Sequence, residues 1–223
     1  MILSSHQPNF APYMGLFYKM FCSDVFTVSD EVSFSRSEYQ NYNFVKMNDS
    51  RLKITVPVKS HSLPINEVML ADWSKAKQKM LKTLRHCYSK CEHFDDLNDI
   101  VSGIFSKDFE RLCDLNLELL LKFKDLFGID AEVIMESSMG LKYDNPSSDI
   151  CDICKKTGAD VYLSGKGALD YIDLNEFDKN GVRFIVSNYE DDFKNLSVFD
   201  YVARNGFVLP EKFYELEDKL WKM

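Results

Sequence analysis

Ile2-Leu3-Ser4-Ser5-His6-Gln7-Pro8-Asn9-Phe10-Ala11-Pro12-Tyr13, followed by Met14 to Phe21 and then Asp24-Val25-Phe26-Thr27-Val28-Ser29, decides how this chain is read. Ile2 to Ser5 is a short strand. The next eight residues, His6 to Tyr13, hold Pro8 and Pro12. Proline lacks a backbone N–H and fixes φ, so this stretch is a loop. Met14 to Phe21 reads as a short helix, and Asp24 to Ser29 as a second strand. Strand, loop, helix, strand is the opening of a βαβ unit, and such units build parallel sheets.

Working outward, Asp30 to Ser50 is a polar stretch rich in Ser, Asn, Tyr and Gln. Arg51 to Val58 alternates apolar and polar residues, as a half-exposed strand does. Ile65 to Leu70 reads as a further short strand. Asp72 is placed to cap a helix that runs to about Ser89. Phe109, Leu112, Leu119, Phe123 and Phe127 keep helical spacing up to Gly128, the expected stop. The α/β pattern then resumes. Ala131 to Met135 is a strand, Asn145-Pro146 opens a helix that Gly158 closes, and Asp160 to Leu163 and Gly181 to Val186 are strands. Ser197 caps a final helix through about Arg204. The expectation is an α/β fold, with a mostly parallel sheet flanked by helices. A single domain spans residues 1–223, with residues 72–128 as a helical insertion.

Composition agrees with this. Of 223 residues, 45% are hydrophobic, and 17 Phe and 11 Tyr supply core volume. The formal net charge of −8 argues against non-specific nucleic-acid binding, which rests on basic patches. There is no run of about 18 or more apolar residues, so no membrane span is expected. The first residues carry no basic segment ahead of a long apolar one, so they are read as a first strand and not an export signal. A cytoplasmic protein with reduced thiols is expected. Cys151-x-x-Cys154, with His86, Cys87, Cys91 and His93, offers metal-ligating residue types, but these fall on predicted helices. Small, half-buried thiols are the plainer reading, and no metal site is assigned.

The candidate site comes from strand ends. In open parallel α/β sheets, ligands bind beyond the C-terminal ends of the strands. Ser5-His6-Gln7, Asp30-Glu31, Ser137-Ser138, Ser164-Gly165-Lys166-Gly167 and Asn188-Tyr189 follow the predicted strands. Parallel strands would bring them to one edge. His6 titrates near neutrality and can exchange a proton; otherwise it pins the proline loop. Asp30 or Glu31 is the candidate base, or the carboxylate that binds a hydroxyl or amine; otherwise it is a cap or a solvated loop charge. The backbone amides around Gly165 can cradle phosphate, with Lys166 adding charge, although an ordinary turn has the same residues and the P-loop pattern is absent. Asn41 and Asn43 add amide donors and acceptors, or serve turn chemistry alone.

His6-Gln7-Pro8-Asn9-Phe10-Ala11-Pro12-Tyr13-Met14-Gly15, Tyr18-Lys19 and Ser23-Asp24-Val25-Phe26 with Asp30 resemble the opening of the WbqC-like family. Tyr39-Gln40-Asn41-Tyr42-Asn43, Tyr162-Leu163-Ser164-Gly165, Asp170-Tyr171 and Leu196 to Asp200 extend the resemblance over most of the chain. Tyr42 departs from it, because relatives carry an arginine between the two asparagines. An anion contact made there in relatives is either missing here or comes from Lys46 or Lys166. Ala11 replaces a bulkier residue. The resemblance implies a setting among genes for O-antigen and other bacterial surface polysaccharides. There, a transferase that acylates or aminoacylates a nucleotide-linked amino sugar is the expected activity.

In that expectation His6 and Asp30 are catalytic. Gln7, Asn9, Tyr13, Gln40, Asn41, Asn43, Ser164, Gly165, Lys166 and Tyr171 bind substrate. The partner is a nucleotide sugar, the donor is of the acyl-CoA type, and the assembly is a homodimer. Two alternatives stand beside it. One is an adenylate-forming or nucleotidyl-transferring enzyme using ATP and Mg²⁺. The other is a non-catalytic sugar-nucleotide-binding accessory protein.

Overall fold

The computed structural model describes residues 1–142, 144–190 and 196–220. In chain order the strands are β1 (Ile2–His6), β2 (Val25–Val28), β3 (Tyr42–Met47), β4 (Ser50–Thr55), β5 (Glu132–Met135), β6 (Val161–Ser164) and β7 (Arg183–Val186). The helices are α1 (Met14–Phe21), α2 (Trp73–Tyr88), α3 (Phe94–Ser106), α4 (Leu112–Leu126), α5 (Pro146–Thr157), α6 (Leu174–Lys179), α7 (Val198–Asn205) and α8 (Glu211–Leu220). Five strands form one sheet in the order β5-β2-β1-β6-β7. Every pairing in it is parallel.

Helices cover both faces of the sheet, so the central strands carry apolar residues on both sides. All four residues of β2, Val25-Phe26-Thr27-Val28, are buried. Successive side chains point to opposite faces. Accordingly Leu3, Val25 and Tyr162 pack with Cys151, Cys154 and Phe177 of α5 and α6. Phe26, Val28 and Leu163 join a larger core with Phe17 of α1, Phe123 of α4, Phe199 of α7 and Phe213 of α8. Helices α2 and α3 belong to that same core through Leu84, Tyr88, Leu97 and Val101.

Local chemistry accounts for several element boundaries. Asn145 caps α5 through its side-chain oxygen, which accepts from Ser147 N and Ser148 N, and Gly158 ends that helix at φ 79°. That left-handed conformation suits glycine, which has no Cβ to clash. Gly128 closes the segment after α4 in the same way, at φ 67°.

The structure departs from the sequence expectations at five places. β3 lies inside what reads as a polar stretch, where Asn43 and Lys46 interrupt its apolar residues. It pairs antiparallel with β4 as a separate two-stranded sheet, turning at Asn48, whose φ is 54°. Ile65 to Leu70 is not a strand. Ile65–Glu67 is a single turn of 3-10 helix, followed by isolated bridges from Met69 to Arg111 and Leu70 to Val58. Asp72 precedes α2 but makes no side-chain cap, because its backbone is left-handed at φ 44°. Ser197 likewise precedes α7 without capping it through its side chain. Finally, α7 is not the last helix, because α8 follows it.

Candidate active-site cleft

Numbered by their order in the chain, the five sheet strands lie 3-2-1-4-5. The order reverses direction between β1 and β6. Loops leaving two neighbouring strands at such a switch point diverge to opposite faces and leave a crevice between them. A cleft of about 1150 Å³ lies here. Its lining includes His6 and Gln7 from the end of β1, Tyr13 and Gly15 at the start of α1, and Ser164 to Lys166 beyond β6. Gly15 fits because a Cβ there would come within 2.7 Å of the Tyr13 ring and 3.1 Å of the Tyr189 ring.

His6 is held in one tautomer. Its Nδ1 lies 2.9 Å from the Gln7 carbonyl oxygen, which can only accept, so Nδ1 carries the hydrogen and Nε2 the lone pair. Burial, and then the nearby Lys19 ammonium, push its pKa down to about 3. The imidazole is therefore neutral at physiological pH. The Tyr13 ring sits edge-on to it, with centroids 6.4 Å apart. Lys19 comes from α1 and also lines the cleft. It is 6% exposed, and its Nζ donates to the Ser5 carbonyl at 2.7 Å.

Glu136 is one of four carboxylates on the cleft, with Glu31, Glu38 and Asp149. Among them it is the buried one, and it directly precedes the Ser137-Ser138 pair expected at this strand end. Ser5 and Thr27 are partners in the β1–β2 register, so their side chains share a face, and Ser29 lies two residues beyond Thr27. All three hydroxyls donate to Glu136 Oε1, at 2.9, 2.7 and 2.9 Å respectively. The available signal was this set of hydroxyls on one face of neighbouring strands. Burial raises the Glu136 pKa, and the three hydroxyl hydrogen bonds oppose that rise.

A carboxyl raised in the native state holds its proton more tightly there than in the unfolded chain. Stability therefore falls as pH rises from the unfolded value of 4.5 through the raised native one. Glu136→Gln keeps an oxygen for the hydroxyls but does not titrate. Thermal melts from pH 4 to 7 are expected to show wild type losing ground to Glu136→Gln as pH increases. Parallel profiles would contradict this.

The predicted residues divide into two groups. His6, Gln7, Tyr13, Ser164, Gly165, Lys166 and Tyr171 all line the cleft. Lys166 pairs with Glu190 at 3.2 Å and remains 61% exposed, while Tyr171 is exposed at the rim. Asn9 is buried in a side pocket of about 210 Å³ that also borders His6, Gln7 and Tyr13.

The others stand behind the surface. Asp30 is 2% exposed; its Oδ1 accepts from Ser137 N at 2.9 Å and its Oδ2 from Asn66 Nδ2 at 3.4 Å. It thereby ties the end of β2 to the segment after β5. Gln40 accepts from Ser35 N at 2.6 Å and donates to Gln7 Oε1 at 2.7 Å, so it aims Gln7 without lining the cleft. Asn41 donates to the Val56 carbonyl. Asn43 donates to the Phe10 and Ala11 carbonyls, supporting Ala11 in its left-handed conformation at φ 42°.

Tyr42 also lies away from the cleft. Its hydroxyl donates to the Ser37 carbonyl, and Lys53 Nζ sits 3.5 Å from its ring centroid. Lys46 is exposed on β3, so of the two cations considered as substitutes for the missing arginine, Lys166 is the one on the cleft. All six cysteines are free thiols. Cys22, Cys113, Cys151 and Cys154 are buried, and Cys87 and Cys91 partly so.

A family model described as the WbqC-like protein family matches residues 7–207. The chain is also 27% identical over 221 residues to a Mycobacterium tuberculosis protein named "Uncharacterized protein Rv1507c", with 92% of this chain and 94% of that one covered. No solved structure matches it. No helix among the described residues is long and apolar enough to cross a membrane.

Proposed function

This chain belongs to the WbqC-like protein family, and on that footing we propose that it is a transferase of bacterial surface-polysaccharide biosynthesis, acylating or aminoacylating the amino group of a nucleotide-linked sugar. The observation that carries the reading is a neutral imidazole, fixed through Nδ1, on a cleft at the sheet's switch point. In this reading the sugar nitrogen bonds to the carbonyl carbon of an activated donor, such as an acyl-CoA-type thioester. The bond from that carbon to its sulfur or oxygen leaving group breaks. The amine proton passes to His6 Nε2 and from there to the leaving group.

The cleft lining supplies the remaining roles. Glu136 takes the amine-holding part that the sequence assigned to Asp30, because Glu136 lines the cleft and Asp30 stands behind it. Gln7 and Tyr13 bind sugar hydroxyls. Ser164, Gly165 and Lys166 approach the nucleotide phosphates, and Tyr171 covers the ligand at the rim.

The strand order together with two lysines on the cleft, Lys19 and Lys166, favours a second reading. It is an adenylate-forming or nucleotidyl-transferring enzyme acting on ATP with Mg²⁺. Fold analogy alone does not choose between the two, but ligand-induced stabilisation does. A ligand at about a hundred times its Kd adds about 2.7 kcal/mol to the folded state, a rise of roughly 5–10 °C for a chain of this size. Thermal unfolding with UDP-, dTDP-, GDP- and CMP-sugars, ATP with Mg²⁺ and acyl-CoA is expected to show that rise with an amino-sugar nucleotide. A shift with ATP and Mg²⁺ alone would favour the second reading. Sugar-nucleotide binding without turnover on any donor would identify an accessory binding protein.

A further inference from the structure

Lys19 is a cation in an unusual place. It is 6% exposed, yet it lines the cleft at the switch point. None of the ion pairs among the described residues includes it. Its one hydrogen bond is to a neutral carbonyl, that of Ser5. The adjacent His6 offers no negative charge, since imidazole is neutral or cationic. Taking an ammonium out of water without a counter-charge is costly. A methionine or leucine would fill the same volume beneath β1 without that cost.

We propose that Lys19 is the fixed counter-charge for an anionic ligand group, making the floor of the cleft behind His6 an anion subsite. The inference rests on the same cleft being the ligand site, and it goes further by naming the charge of the ligand. The group is a phosphoryl or a carboxylate. A nucleotide diphosphate, the phosphoryl source in our functional reading, is the occupant the setting favours. The start of α1 adds to the subsite: Gly15 lines the cleft, and the first turn of this eight-residue helix has no acidic side chain to offset the positive end of its dipole. The lowered pKa of Lys19, about 8, follows from burial alone. An anion bound beside it would restore a full positive charge.

The test uses the full chain with inorganic pyrophosphate, UDP, uridine and glucuronate as calorimetric probes. Wild type is expected to bind pyrophosphate and UDP. Lys19→Gln, which keeps a donor for the Ser5 carbonyl, is expected to weaken both roughly ten- to a hundredfold, the worth of a charge-assisted hydrogen bond. Uridine binding should be unchanged, and Lys19→Arg should retain most of the affinity. Lys19-dependent binding of glucuronate but not pyrophosphate would identify the anion as a carboxylate. Should either variant fail to fold, side-chain NMR of ¹⁵N-lysine-labelled wild type decides, since the buried Lys19 signal must move when pyrophosphate is added. Equal pyrophosphate affinity in wild type and Lys19→Gln, or no anion binding by wild type, would overturn the subsite. Anion binding that depends on Lys19 without any sugar-nucleotide turnover would instead remove the transferase reading and leave the subsite standing.

Discussion

His6→Ala is expected to reduce transfer from donor to amino-sugar nucleotide by roughly 10²- to 10⁴-fold, the range of a positioned proton acceptor, while leaving the fold in place. The fold should survive because, among the described residues, the imidazole hydrogen bonds only to the local Gln7 carbonyl. Nucleotide-sugar affinity should change little, since Lys19, Lys166 and Gln7 remain. A fall in kcat with a nearly constant KM is therefore the signature to measure. Full activity in this variant would remove His6 from the chemistry.

The same residue predicts a pH effect on stability. Its native pKa, about 3, lies below the ordinary value of 6.5. Between those values the unfolded chain takes up a proton that the native chain refuses. The contribution of a neutral, partly buried His6 is thus fully present above pH 6.5 and is lost as pH falls toward 3. Melts across this window should show a steeper acid loss in wild type than in His6→Ala. The effect also ties His6 to the anion subsite: a bound anion that offsets the Lys19 charge removes one of the two causes of the depression, so His6 becomes a stronger base when the ligand is present.

How the sequence revealed His6 and hid Glu136 follows from where each signal lies. The His6 segment combines two prolines, a histidine and flanking apolar runs, and each of these is legible locally. So are the bounds of α1, because Met14 to Phe21 is bracketed by Pro12 and by the polar Ser23-Asp24. Glu136 depends on the lateral pairing of β1 with β2, which sets Ser5 opposite Thr27. No spacing along the chain encodes that pairing. Lys19 gives no signal of its own in the sequence, because a lysine on a short helix ordinarily faces water. Its burial follows from α1 packing over the sheet, where Ser23 and Ser4 hydrogen bond at 2.8 Å and bring helix and strand together. In sequence, the asparagines and Gln40 look like ligand groups because polar loop residues often carry function. Their amides instead satisfy buried carbonyls, a demand visible only once the loops are folded.

Asn116 carries the strongest structural prediction, and it links the helical region to the chemistry. It lies in the middle of α4 and is 0% exposed, a polar residue at a core-facing position of the helix. Its Nδ2 donates to the Pro8 carbonyl and to the Gln40 carbonyl, each at 2.7 Å. One amide therefore holds both the His-Gln-Pro loop and the segment that aims Gln7. Asn116→Leu fits the volume but leaves two buried carbonyls unpaired, at about 1–3 kcal/mol each. Removing Asn116 Oδ1, which has no partner of its own, offsets part of that loss. A net destabilisation of roughly 2–4 kcal/mol is expected, or a fall of about 5–15 °C in unfolding temperature. Asn116→Asp should be worse. An ionised carboxylate would face two carbonyl oxygens, and even a protonated one could serve only one of them. In both variants the released loop carries His6 and Gln7, so kcat/KM should fall further than the loss of folded protein accounts for. Melts and kinetics on the folded fraction separate the two effects. If Asn116→Asp proves as stable as wild type, α4 does not hold this loop, and the positioning of His6 must come from β1 and Asn43 alone.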